Sequence, residues 1–132
     1  MPNTASITLG GKEIELRASN WASQVYAETF YGQERGKYNG SLQHDTSQVV
    51  ADCFNSDEDG NLSIAYSDIP FALWGIVWAL AYAAGSTKAR YDQWMKSKRN
   101  EVWTVAEQAD ACSEVVDLVM EAFFRDNAKP EA

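Results

Sequence analysis

The chain has 132 residues, of which 45% are hydrophobic and 23% are charged, and it carries a net charge of −8. This length predicts one domain over residues 1–132, because two domains would each have a very small core. The composition is typical of a globular protein, and the negative charge argues against nucleic-acid binding because it repels a phosphate backbone. A basic cluster broken by Asp92 is interpreted as a solvated helix face and comprises Lys88, Arg90, Lys96, Lys98 and Arg99.

Two alternating runs joined by two glycines predict a β-hairpin within residues 1–18. Ile7 and Leu9 alternate with polar residues before Gly10-Gly11, and Ile14 and Leu16 do so after it. Glycine tolerates the positive φ angles that a two-residue hairpin turn requires. Because an isolated hairpin is only marginally stable, we expect this one to pack on helices.

A first helix is predicted from Trp21 to about Tyr31, with Ser19 or Asn20 as its cap and Gly32 as its end. The glycine-rich stretch that follows, up to residue 40, is interpreted as a loop. Thr46 is then expected to cap a short second helix. The residues that this helix is expected to bury are Val49, Val50, Cys53 and Phe54.

Residues 55–66 follow the calcium loop of an EF-hand at several positions, including Asp57 and Asp59. The twelfth position requires a bidentate glutamate, and here it is Tyr66, so a solvated acidic turn is favoured over a weak calcium site. The end of this stretch, from Leu62 onward, is extended or leads directly into the next helix. No metal or cofactor is therefore predicted.

The uncharged run 69–87 is apolar on every face, and Ser67-Asp68 before Pro70 is typical of a helix start. Such a helix must be covered by the rest of the chain, by another subunit or by lipid. A membrane span is disfavoured, because Pro70, glycines and alanines dilute the run and no second span supports it. This central apolar helix also predicts self-association.

Two more helices are predicted in the last third of the chain. One begins near Ser86-Thr87 and ends near Arg99-Asn100, with an apolar face formed by Tyr91, Trp94 and Met95. The other begins at the capping box formed by Thr104 and Glu107. Its apolar residues, at spacings of three and four, are Val105, Ala109, Cys112, Val116, Val119, Met120 and Phe123. Residues 126–132 are expected to fray.

The sequence contains no recognisable catalytic motif. His44 is the only histidine and is interpreted as a surface residue, and Cys53 and Cys112 are interpreted as reduced core thiols. The N-terminal residues lack the pattern of a secretory signal, so a cytosolic protein is expected. The fold class predicted is α+β and mostly helical, with a short N-terminal hairpin packed on four to five helices in region 19–125.

The order of these elements resembles the tail assembly chaperones of long-tailed bacteriophages and prophages. The resemblance rests on the hairpin 7–16, the helix beginning near Trp21, the tryptophan-containing helix around Trp74 and Trp78, and the acidic C-terminal helix. It covers nearly the whole chain. It implies a small, non-enzymatic protein in the cytoplasm of the bacterial host that coats the tape-measure protein, keeps it soluble and helps tail-tube subunits assemble around it.

Candidate partner-binding residues are taken from the two most apolar helices. They are Trp74, Trp78 and Tyr82 on the central helix and Val116, Met120 and Phe123 on the last one. A tryptophan pair one helical turn apart suits a binding ridge, but the same spacing is expected of two core residues. Two other classes stay open, namely a non-viral helical interaction module with another client and a weak calcium-binding or enzymatic domain.

Overall fold

A computed structural model of the chain describes residues 3–32, 41–56, 62–64 and 72–124, and the side chains of 3–32, 41–51 and 73–124. The elements in chain order are β1 (Thr4–Leu9), β2 (Lys12–Arg17), α1 (Asn20–Tyr31), α2 (Ser41–Cys53), β3 (Phe54–Ser56), β4 (Leu62–Ile64), α3 (Ala72–Ala84), α4 (Tyr91–Lys98) and α5 (Val105–Phe123). This order confirms the predicted α+β, mostly helical fold with an N-terminal hairpin.

The N-terminal hairpin has the predicted turn and the predicted apolar face. β1 and β2 pair antiparallel, with Leu9 opposite Lys12 at the turn. Gly10 and Gly11 adopt φ angles of 62° and 78°, which gives the turn a conformation that residues with a Cβ rarely adopt. The inner face, formed by Ile7, Leu9, Ile14 and Leu16, is buried. It packs on two helices, with α5 against β1 and α3 against β2.

Helix α3 is the centre of the core. Every residue from Leu73 to Ala81 is buried, and neighbours from the hairpin, α1, α2 and α4 surround the helix. The chain itself therefore covers residues 73–81 of the apolar run, which was one of the three coverings considered from the sequence. The helix ends at Ala84, before the end of the uncharged run 69–87, because Gly85 takes a φ of 83°.

The structure differs from the prediction for the second helix. Helix α2 begins at Ser41, so Thr46 is an internal residue and not the N-cap. Its hydroxyl is buried and donates to the carbonyl of Leu42 at 2.8 Å, a bond to the preceding turn that lets a capping residue type occupy a helix interior. The helix ends at Cys53, and Phe54 opens β3, which pairs with β4.

The fourth helix also begins later than predicted, at Tyr91. Ser86 and Thr87 instead hold an irregular connection, because the Ser86 hydroxyl donates to the carbonyl of Glu15 at 2.6 Å and Thr87 Oγ1 accepts from the Ala89 N–H at 3.1 Å. The predicted face is confirmed in part, since Trp94 is buried whereas Tyr91 and Met95 are half-buried.

The capping box of α5 is confirmed, with Thr104 and Glu107 each bonding the other's backbone N–H. The predicted apolar stripe was partly wrong, because Val105 is 53% exposed. Three residues that it omitted, Ala111, Val115 and Leu118, are buried. Contacts from both β1 and α2 widen the buried face of α5 beyond a narrow stripe.

Several predictions fall outside the described residues. They concern the acidic turn at Asp57 and Asp59, Tyr66, the side chain of Cys53, most of the loop 32–40 and the tail 126–132. Cys112, the other predicted core thiol, is buried in α5. Within the described ranges, no helix combines the length and the apolar character needed to cross a bilayer.

Candidate partner-binding surface

The two tryptophans proposed as a binding ridge lie in the core. Trp78 is fully buried, and its Nε1 donates to the carbonyl of Ala89 at 2.9 Å. Trp74 is 6% exposed and packs against Trp103, with ring centroids 4.8 Å apart. In this conformation their rings contact the chain itself and leave almost no surface for a partner.

The other predicted residues are divided between two places. Val116 is buried, and Met120 and Phe123 are half-buried on α5, next to the 43% exposed Phe124. Tyr82 is half-buried at the end of α3, where its ring lies 5.4 Å from Trp78. Of the six predicted residues, Tyr82, Met120 and Phe123 are half-buried, whereas Trp74, Trp78 and Val116 are buried.

Aromatic residues of α1 are exposed to a degree that the sequence did not predict. Trp21, Phe30 and Tyr31 are about 40% exposed, at 41%, 39% and 41% respectively. Trp21 lies 6.2 Å from the Tyr82 ring, so the two form an aromatic pair at the surface. Helical spacing does not show how exposed these residues are, because it does not reveal how far the neighbouring helix extends.

Phe30 reaches across to α3 at a position without a side chain. Its ring lies edge-on to Trp78 and to Tyr91, with centroids 6.2 Å and 4.8 Å away. A Cβ built on Gly75 would lie 2.7 Å from Phe30 Cζ, so any larger residue here would require the Phe30 ring to shift. A glycine within an apolar helix is the sequence signal for such an approach.

The lone histidine belongs to a polar cluster between α1 and α2. Asp45 accepts hydrogen bonds from the hydroxyls of Tyr26 at 2.6 Å and Tyr31 at 2.8 Å, and its Oδ1 lies 3.2 Å from His44 Nδ1. Burial and the bond to Asp45 raise the pKa of both tyrosines, so both stay protonated donors near neutral pH. These hydrogen bonds link α1 to α2, and His44 is exposed on the outside of the cluster.

Glu107 joins the hairpin turn to the start of α5. Its carboxylate accepts from the backbone N–H groups of Gly10, Gly11 and Thr104, each at 3.0 Å. These bonds, the one from Thr104 first, hold the pKa of the carboxyl below its usual range. Nearby, Glu101 accepts from Trp103 Nε1 at 3.0 Å and pairs with Lys12 at 3.3 Å. The turn is therefore fixed against the α4–α5 corner.

A groove runs between β1 and α5, beyond this fixed turn. Its larger part, about 410 Å³, lies between Ser6–Thr8 and residues 107–114, and a second part of about 210 Å³ lies between residues 3–5 and 114–121. The strand and the helix are therefore antiparallel along it. The helix contributes a row of carboxylates, namely Glu107, Asp110, Glu114, Asp117 and Glu121.

The described side chains bring no three His, Cys, Asp or Glu residues together in a way that could hold a metal ion. The main surface features of the described residues are the exposed aromatic residues of α1 and the acidic groove between β1 and α5. Comparison of the chain with protein-family models, with curated proteins and with solved structures found no match.

Proposed function

We propose that the protein is a non-enzymatic tail assembly chaperone of a bacteriophage or prophage. It binds the tape-measure protein in the cytoplasm of the bacterial host, keeps it soluble during tail assembly, and presents it to tail-tube subunits. The proposal rests first on the resemblance of the sequence. The elements that carry the resemblance, the hairpin, α1, α3 and α5, follow one another in that order in the fold.

The observation that supports the proposal most directly is the C-terminal end of α5. Met120 and Phe123 are half-buried and Phe124 is 43% exposed, while the exposed Asp117 and Glu121 lie on the same helix. Apolar side chains flanked by charge can contact a helical client and keep the complex soluble. Among the residues predicted to bind a partner, Met120, Phe123 and Tyr82 combine apolar surface with accessibility. Self-association is proposed to use the same end of α5, because residues 73–81 of α3 are buried within the chain.

The test is co-expression with the tape-measure protein encoded in the same phage or prophage genome, followed by affinity purification and light scattering of the product. A soluble complex is expected. The double variant Met120→Gln, Phe123→Gln should then leave most of the tape-measure protein insoluble. Circular dichroism and thermal unfolding would establish that this variant is folded under the conditions of the pull-down.

A matched control removes apolar surface elsewhere. Val102 and Val105 are 78% and 53% exposed, so Val102→Gln, Val105→Gln changes two apolar residues to the same amide without reaching α5's C-terminal end. The control should retain the complex. An insoluble tape-measure protein beside a chaperone that elutes alone as a monomer would contradict the proposal and favour an interaction module with another client.

A further inference from the structure

The hydrogen-bonding pattern of the hairpin leaves backbone groups exposed on the outer edge of β1. In an antiparallel pair, residues alternate between those that bond the partner strand and those whose N–H and C=O point away from it. A two-residue turn with two positive φ angles places the flanking pair, Leu9 and Lys12, in the bonded class. The backbone groups of Ser6 and Thr8 then point outward from the edge of β1.

A contact made by β2 supports this assignment of inward-pointing and outward-pointing backbone groups. The carbonyl of Glu15, which lies opposite Ser6, accepts a hydrogen bond of 2.6 Å from the Ser86 hydroxyl, so it points away from β1. The outer edge of β2 is therefore partly occupied. Within the described part of the chain, no hydrogen bond is made to the outward backbone groups of Ser6 or Thr8, and both residues are exposed.

The acidic row of α5 has about the same length as strand β1. Fourteen residues separate Glu107 from Glu121, which corresponds to about 21 Å of helix, and the six residues of β1 extend about 20 Å. Glu107 is held by the hairpin turn, but the other four carboxylates, Asp110, Glu114, Asp117 and Glu121, form no ion pair with any described residue. The groove thus has one wall of backbone donors and acceptors and one wall of negative charge.

We propose that this groove binds an extended basic segment of a partner protein, which adds to the edge of β1 as a third strand. The segment's backbone pairs with Ser6 and Thr8, and lysine or arginine side chains at alternate positions face the carboxylates of α5. Alternation is required because successive side chains of a strand point to opposite faces, and one of these faces α5. The proposal is independent of the chaperone proposal, which concerns the apolar end of α5.

Charge also distinguishes this occupant from a second copy of the chain. Symmetric pairing of two β1 edges would bring two copies of the acidic row together, and the whole chain already carries a net charge of −8. Like charges placed opposite one another disfavour such pairing. A basic strand, in contrast, gains attraction along the whole groove.

The test is a titration of the full chain with a synthetic ten-residue peptide in which lysine alternates with threonine, followed by NMR and calorimetry. Saturable binding is expected, with the largest amide shifts at Ser6 and Thr8. Glu114→Lys should weaken the affinity by about tenfold, since it places a like charge against the peptide. Glu13→Lys is the matched control, because it makes the same charge change at an exposed residue of β2 and should change affinity less than twofold.

A second peptide separates strand addition from simple charge attraction. It has the same sequence, but N-methyl groups replace the backbone N–H groups on its pairing side, so its charge is unchanged. We expect it to lose most of the affinity. Equal binding of both peptides, or no binding of either, would overturn the proposal. Protection of the Ser6 and Thr8 amides from exchange in a peptide-free dimer would also overturn it, in favour of pairing between two copies.

Discussion

Gly75→Ala tests how tightly α1 is seated on α3. The new Cβ would lie 2.7, 3.0 and 3.3 Å from three carbons of the Phe30 ring, Cζ, Cε2 and Cε1. Ordinary carbon–carbon contacts are about 3.5–4.0 Å, so the ring must move by roughly 1 Å. Its centroid lies 4.8 Å from those of Tyr91 and Tyr26 and 6.2 Å from that of Trp78, so the movement weakens these ring contacts.

Two opposing terms set the expected magnitude. Alanine favours a helix interior over glycine by about 1 kcal/mol. Overpacking costs about 1–3 kcal/mol, and each aromatic contact that the ring loses costs a further 0.5–1.5 kcal/mol or so. We therefore expect Gly75→Ala to lower the free energy of unfolding by about 1–2 kcal/mol, which corresponds to a decrease in Tm of roughly 3–8 °C for a chain of this size.

The assay is a double-mutant cycle with Phe30→Ala, measured by urea denaturation and by thermal unfolding. Without the ring, the alanine at position 75 meets open space, so the same substitution should stabilise the protein by about 1 kcal/mol. The sign reversal implies a coupling energy of about 2–3 kcal/mol between the two positions. If Gly75→Ala stabilises both backgrounds equally, Phe30 is not seated over Gly75 and the reasoning is wrong.

Three further predictions concern single hydrogen-bonding groups. Trp78→Phe removes the bond to the Ala89 carbonyl and part of a fully buried ring, so urea denaturation should show a loss of about 2–3 kcal/mol with an unchanged m-value. Ser86→Ala should lower the free energy of unfolding by about 0.5–1 kcal/mol through loss of the bond to Glu15, and an unchanged midpoint in urea would contradict that contact. Glu107 has a pKa below its ordinary value of 4.5, so its stabilising effect is complete above that pH and is lost as the pH falls through the lower, folded-state pKa. Thermal unfolding between pH 7 and 3 should therefore show a weaker pH dependence for Glu107→Gln than for the unchanged chain, and identical curves would refute the role of the carboxylate.

The sequence predicted correctly those features that are determined by residues close together in the chain. The Gly10-Gly11 turn and the capping box of Thr104 and Glu107 are each specified by residues within a few positions of one another, and both are present. Thr46 was misassigned because its residue type is common at helix starts, whereas here its hydroxyl bonds the preceding turn of α2.

The candidate surface depended on information that a single sequence does not contain. Trp74 and Trp78 have the spacing of a ridge, but whether a ridge is exposed depends on what covers it, and here the chain covers both. The sequence shows acidic residues interspersed among the apolar residues of α5. Their position beside the edge of β1 could not be predicted, because it follows from the packing of segments about 100 residues apart.

The bonds from Gly10 and Gly11 to Glu107 connect residues separated by 97 and 96 positions in the chain. A two-stranded hairpin gains little stability by itself, so β1 and β2 depend on helices that are synthesised much later. Long-range closure of this kind slows folding relative to a bundle with only local contacts. On the ribosome, β1 and β2 therefore reach their native packing only after α5 has been synthesised.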